Sequence, residues 1–87
     1  MYIIAVYDVN VDRVAKMLKL FRTYLTWVQN SVFEGELTKA QYAQLKHEAQ
    51  ALMEPTEDSV IVWHVRAESY VERETLGEEP GETGRFL

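Results

Sequence analysis

The 87-residue chain has no cysteine. That excludes disulfide staples and thiolate metal sites, and it fits a reducing cytoplasm. With two histidines, His47 and His64, a zinc centre has too few nitrogen and sulfur ligands. Long hydrophobic runs are missing as well. The apolar start stops at Asp8, has no basic segment before it and falls far short of the ~20 residues of a membrane span. These absences point to a soluble cytosolic protein with no membrane partner. There is no glycine-rich phosphate loop, no Ser/His/Asp pattern and no aromatic signature of an RNA-recognition motif.

Positive charge is scarce, and the net charge is −5. Residues 1–53 hold six Lys/Arg against five acids, a net of +1, whereas residues 54–87 hold three against nine, a net of −6. The acidity therefore sits in the last third, and a basic face on the body remains allowed.

What is present reads as alternating elements of one domain, since chains of this length do not split. Tyr2 to Tyr7 is a continuous apolar run rich in β-branched and aromatic residues, the pattern of a buried central strand. From Val11 the period becomes helical, with Val14, Met17, Leu18 and Phe21 on one face, Asn10 as N-cap and Asp12 at the positive end of the helix dipole. Thr26 to Glu34 predicts two short strands around a tight turn or bulge at Asn30 and Ser31, after which Gly35 lets the chain bend. Thr38 and Gln41 have the spacing of a capping box ahead of a second helix with Tyr42, Leu45, Ala49 and Leu52 on its apolar stripe, closed before Pro55. "SVIVWHV", Ser59 to Val65, is another strand, and Tyr70 to Leu76 a weaker one.

The order strand, helix, two strands, helix, strand predicts an α+β, ferredoxin-like βαββαβ fold with an antiparallel sheet plus an extra C-terminal strand. Residues 1–76 form the domain, and residues 77–87 an acidic flexible tail. Right-handed crossovers put both helices on one sheet face. The other face is left partly uncovered, and an identical chain is the simplest cover for it.

Two features carry chemistry. Asp8 ends the first strand, where such folds place ligands, although a strand-ending aspartate equally serves as a turn or cap residue. One carboxylate is a poor Mg²⁺ site by itself. Two copies within ~5 Å across a two-fold axis would repel by roughly 3 kcal/mol at an effective dielectric of ~20, favouring a bridging cation or a proton. Arg13, Lys16, Lys19 and Arg22 recur every third residue and form a basic stripe opposite the apolar face, either a solvated surface or a ridge that tracks phosphates. His64 and the aromatic residues read as core, edge or interface groups.

"MYIIAVYDV" followed by Arg13, then "LTWVQNSVFEGELT" and "DSVIVWHV", resembles the CRISPR-associated protein 2 family over about residues 1–76. The resemblance implies a homodimer joined through its sheets, with the segment around Tyr70 to Leu76 extending the partner's sheet. It implies that Asp8, one from each protomer, holds Mg²⁺ as the metal-binding and catalytic aspartate, and that Ser31 and Phe33 lie beside it as catalytic-site residues. Arg13, with Lys16, Lys19 and Arg22, would bind nucleic acid. The implied activity is metal-dependent endonuclease cleavage of single-stranded RNA or duplex DNA in antiviral defence. Other members of the family act as non-catalytic bridges between two dimers of the CRISPR integrase. A small-molecule-binding regulatory domain is a third reading, which the basic helix does little to support. The strongly acidic end departs from the family pattern.

Overall fold

The switch from strand to helical period just after Asp8 is the first element boundary in the computed structural model, which describes residues 1–77. The elements are β1 (Tyr2–Asp8), α1 (Val11–Tyr24), β2 (Thr26–Gln29), β3 (Val32–Glu36), α2 (Lys39–Leu52) and β4 (Ser59–Val65), followed by a 3-10 turn at Glu68–Tyr70. The four strands form one antiparallel sheet in the order β2-β3-β1-β4. This is the expected ferredoxin-like βαββαβ arrangement. Among the described residues no helix is long and apolar enough to cross a membrane.

Local chemistry sets the helix starts. The Asn10 side chain accepts from the Asp12 N–H at 3.0 Å, relieving one of the unpaired amides at the start of α1. At α2 the capping box is complete: Gln41 N–H donates to Thr38 Oγ1 at 3.0 Å, and Thr38 N–H donates to Gln41 Oε1 at 2.8 Å. The β2–β3 connection combines a turn and a bulge. Asn30 has φ 45°, a left-handed conformation that asparagine tolerates, and the ladder shifts register between Trp27 and Gln29.

Successive side chains of a strand point to opposite faces. Ile3, Ala5 and Tyr7 face the helices and join Met17, Phe21, Leu25, Phe33, Leu37, Leu45 and Ala49 in the core. Tyr7, Phe21 and Phe33 are its centre, with ring centroids 5.2 to 5.8 Å apart in edge-on, tilted and stacked contacts. Ile4, Val6 and Asp8 point the other way. By register Val6 lies between Val32 and Ile61, and Ile4 between Glu34 and Trp63. Ile61 and Trp63 are 53% and 51% exposed, so this second face is an open apolar surface.

Three sequence expectations change. Gly35 does not bend the chain but lies within β3 opposite Ile3. A β-carbon there would come within 3.1 Å of Leu25 Cδ2, so its lack of a side chain is what admits Leu25. Val14 is 40% exposed, because α1 turns that position towards the sheet's end instead of its middle. Met17 and Phe21 are the residues of that face that are buried. The extra strand over 70–76 does not form within the chain: the 3-10 turn occupies its start, and 71–76 has no ladder partner. Arg73 instead reaches back to Glu34 at 2.8 Å, and the segment lies beside Tyr2 and Thr26. Of the acidic tail expected over 77–87, residues 78–87 lie outside the described residues.

Phe33 is wholly buried between Tyr7 and Phe21. Phe33→Ala is expected to cost about 3–5 kcal/mol of folding stability, read from the midpoint of a denaturant titration.

Candidate nucleic-acid and catalytic site

Strand parity decides the setting of the acidic candidate. Asp8 is six residues beyond Tyr2 and shares its face, so the carboxylate leaves the sheet on the open side, exposed, with Ser59 of β4 as ladder partner. Beside it is a shallow groove of about 330 Å³ lined by Tyr7, Asp8, Val9, Val14, Asn30 and Ser31. Tyr7 N–H donates to the Ser31 carbonyl at 3.3 Å, tying the β2–β3 turn to the end of β1. Asp8 and Ser31 thus line one groove.

Phe33 is not part of that groove. Its 0% exposure precludes contact with a substrate, and its place is beneath Tyr7 in the core. As a catalytic-site residue it is therefore corrected to one that supports the floor behind Asp8.

Arg13 is also corrected. Its guanidinium closes a clamp: Nε donates to Asp58 Oδ2 at 2.5 Å, and Nη2 donates to Asp58 Oδ1 and Glu57 Oε1, both at 3.1 Å. The Asp58 side chain has 0% exposure, whereas Glu57 remains half exposed. Asn10 N–H and Glu54 N–H also donate to the Asp58 carboxylate, each at 2.8 Å. The Arg13 hydrogen bond, with help from those backbone amides, outweighs burial and holds the Asp58 carboxyl far below the usual carboxylate range. The same bond raises the Arg13 guanidinium. Its Nε and Nη2 are thus taken up by acids of the same chain.

The remaining basic candidates follow α1 away from the groove. Lys16, Lys19 and Arg22 are exposed, and Lys19 and Arg22 border a separate depression with Ala15, Leu18 and Thr23. Arg22 lies over the Trp27 ring at 5.3 Å. At ~1.5 Å per residue, Arg22 is about 13 Å along the helix axis from Arg13. The structure keeps this stripe as a surface distinct from the Asp8 groove.

Among the described residues no group of three His, Cys, Asp or Glu side chains could hold a metal ion. In one chain the groove holds one carboxylate, that of Asp8. Mg²⁺ accepts one or two carboxylates completed by water and phosphate oxygens, so the donor fits only as part of a site that a second copy or a nucleic acid completes. His64 stands against the Tyr42 ring at 5.2 Å and, as the partner of Ile3, lies at the opposite end of β4 from Ser59.

Sequence reasoning missed Asp58, Glu57 and a second polar group on the open face. There Tyr2 OH donates to Glu34 at 2.7 Å, and Glu34 also receives Arg73. Burial first, then the hydrogen bond to the Glu34 carboxylate, pushes the Tyr2 phenol well above its ordinary value. The available signal for Asp58 was the run of acids around Pro55 just before a strand, a place where a carboxylate meets unpaired loop amides.

These features define a class: a small ferredoxin-like domain with one outward carboxylate at the end of its first strand, on a sheet face left uncovered by helices. Residues 1–73 match the family model described as CRISPR associated protein Cas2. The chain is 52% identical over 84 residues to the CRISPR-associated endoribonuclease Cas2 of Thermotoga maritima, covering 97% of each. It is 46% identical over 87 residues to that of Dictyoglomus turgidum, covering all of both. A crystal structure of Cas2 superposes with a TM-score of 0.83 at 43% identity over 91% of this chain and 88% of that one. For Streptococcus pyogenes Cas2 the values are 0.78, 31%, 88% and 100%. The chain belongs to the Cas2 family.

The clamp gives stability a defined pH dependence. Asp58 is lowered in the folded state, so its contribution is complete above the ordinary carboxylate pKa of ~4 and is lost as pH falls below it. Thermal melts from pH 7 to pH 2 should show a falling Tm below about pH 4. Asp58→Asn should start lower at pH 7 and fall less steeply.

Proposed function

We propose that this chain is a homodimeric CRISPR adaptation protein that binds nucleic acid and cleaves phosphodiester bonds, in single-stranded RNA or duplex DNA, with Mg²⁺ held at Asp8. The observation that carries this reading is the Asp8 carboxylate, exposed on the open sheet face next to the Ser31 groove. Family membership supports it, and the relatives from Thermotoga and Dictyoglomus are named endoribonucleases. The exposed Ile61 and Trp63 on the same face support association of two copies, since a monomer gains by covering such a surface. That association would place two Asp8 carboxylates in one assembly.

When bound, Mg²⁺ supplies positive charge beside the scissile phosphate, lowering the pKa of the attacking water and offsetting the charge that develops. The chain's own part is to hold and orient. Asp8 contributes the anionic oxygens, the Ser31 hydroxyl can donate to a phosphate oxygen, and Lys16, Lys19 and Arg22 draw the nucleic-acid backbone along α1. Asp8→Asn is expected to lose more Mg²⁺-dependent cleavage than the roughly 100-fold typical of changing an outer partner of a metal ligand, while the dimer persists. A metal-titrated assay on RNA and duplex DNA, with both proteins purified in parallel, decides this. Equal cleavage by the variant removes Asp8 from the reaction.

A second reading is favoured by the single carboxylate that lines the groove and by the separation of the Lys19 and Arg22 depression from it. In it the protein is a non-catalytic adaptor that bridges CRISPR integrase dimers and holds the duplex to be inserted. Spacer acquisition then survives Asp8→Asn. Both readings require the lysines of α1 to act on phosphates. Lys19→Ala should weaken binding uniformly across sequences and reduce the slope of log K against log salt by about one. Unchanged affinity and slope would make the stripe a solvated helix face.

A further inference from the structure

We propose that Asp58 is the positioning residue for Asp8, acting through Arg13 and Asn10; this rests on Asp8 being the acting carboxylate. The residue after Asp58, Ser59, is the ladder partner of Asp8, so Asp58 lies beside the end of β1 where the strand gives way to the turn into α1. Its carboxylate then takes four hydrogen bonds from two loops. Asn10 N–H, Arg13 Nε and Arg13 Nη2 come from the turn and first helical residues after Asp8, and Glu54 N–H comes from the loop before β4. Asn10 is two residues past Asp8. The backbone that carries Asp8 is thus fixed on one side by the β1–β4 ladder and on the other by a fully enclosed carboxylate.

Stability alone does not account for a charge pair at this place. A buried ion pair is often matched or exceeded in stability by apolar side chains of the same volume, because both charges lose their water. What a four-bonded carboxylate supplies is geometry: its acceptors and the planar guanidinium fork have fixed directions, whereas apolar packing has none. A carboxylate that must meet a phosphate or a cation needs its backbone held to within about 0.5 Å. The clamp is located at the one turn where such precision serves the exposed acid.

The test uses the full chain with Asp58→Asn, which removes the charge at constant size, and Arg13→Lys, which keeps the charge but loses the fork. Two measurements are made: backbone amide order parameters for Asp8, Val9 and Asn10 in metal-free protein, and kcat and KM for single-stranded RNA. Wild type is expected near the rigid value of ~0.85, and the variants are expected to fall towards ~0.6. The kcat should drop by roughly 10–100-fold with KM nearly unchanged, the pattern of a group that orients the reacting carboxylate and does not bind substrate. Unchanged order parameters in the folded variants overturn the proposal. So does a loss of order with kcat intact, which would leave Asp58 a purely structural residue. If Asp58→Asn does not fold, Arg13→Lys carries both measurements. If wild type itself does not cleave, the nuclease reading fails, and the order parameters alone still decide whether Asp58 holds Asp8 in place.

Discussion

Both helices pack on one face of a four-stranded sheet, and most of the molecule's properties follow from that constraint. Helices α1 and α2 follow β1 and β3, and right-handed crossovers bring them to the same side. The strand period then sorts every residue of β1: Ile3, Ala5 and Tyr7 enter the core, while Ile4, Val6 and Asp8 face outward. A one-residue slip would bury Asp8 beneath α1 and expose Tyr7. The aromatic centre of Tyr7, Phe21 and Phe33 resists such a slip, because the three rings fit only in the observed parity. The core thus specifies the direction of the acid without touching it.

Polar contacts complete what the core begins, at opposite ends of the sheet. At the Asp8 end, Asp58 gathers Arg13 and two loop amides beneath the surface. At the other end, Glu34 binds Tyr2 and Arg73 and keeps the chain after β4 against the open face. A further hydrogen bond, from Tyr24 OH to Glu48, links α1 to α2. Every buried side-chain nitrogen and oxygen among the described residues has a partner, so the charges inside this small domain are arranged and not stranded. Between these two ends runs the apolar row of Ile4, Val6, Ile61 and Trp63, which no helix covers.

Much of this was legible beforehand because it depends on neighbours a few residues apart. The capping box at Thr38 and Gln41, the Asn10 cap, the helical period through Met17 and Phe21, and the turn at Asn30 are all local, and each formed as read. The misread residues have partners far away in sequence. Gly35 looked like a bend because its neighbour Leu25 belongs to another segment. Arg13 looked like a spare cation because Asp58 is 45 residues away. The stretch 70–76 has strand composition, but composition cannot provide a sheet edge to pair with. Phe33 was placed beside the site by the resemblance, yet it pairs with Ala5 and shares that residue's helix-covered face, so its ring is core.

The sequence by itself determined the order and type of the elements, the acidic last third, the carboxylate that ends the first strand and the resemblance that family membership then established. Those features are written in periodicity, capping and composition, which act over one or two turns of chain. Only the tertiary structure decided which carboxylate takes Arg13, that Phe33 is core, and that the lysine stripe and the Asp8 groove are separate surfaces. Each of those depends on the geometry with which distant segments meet. A charge or an aromatic ring has no preference for a particular distant partner until packing has brought the two together.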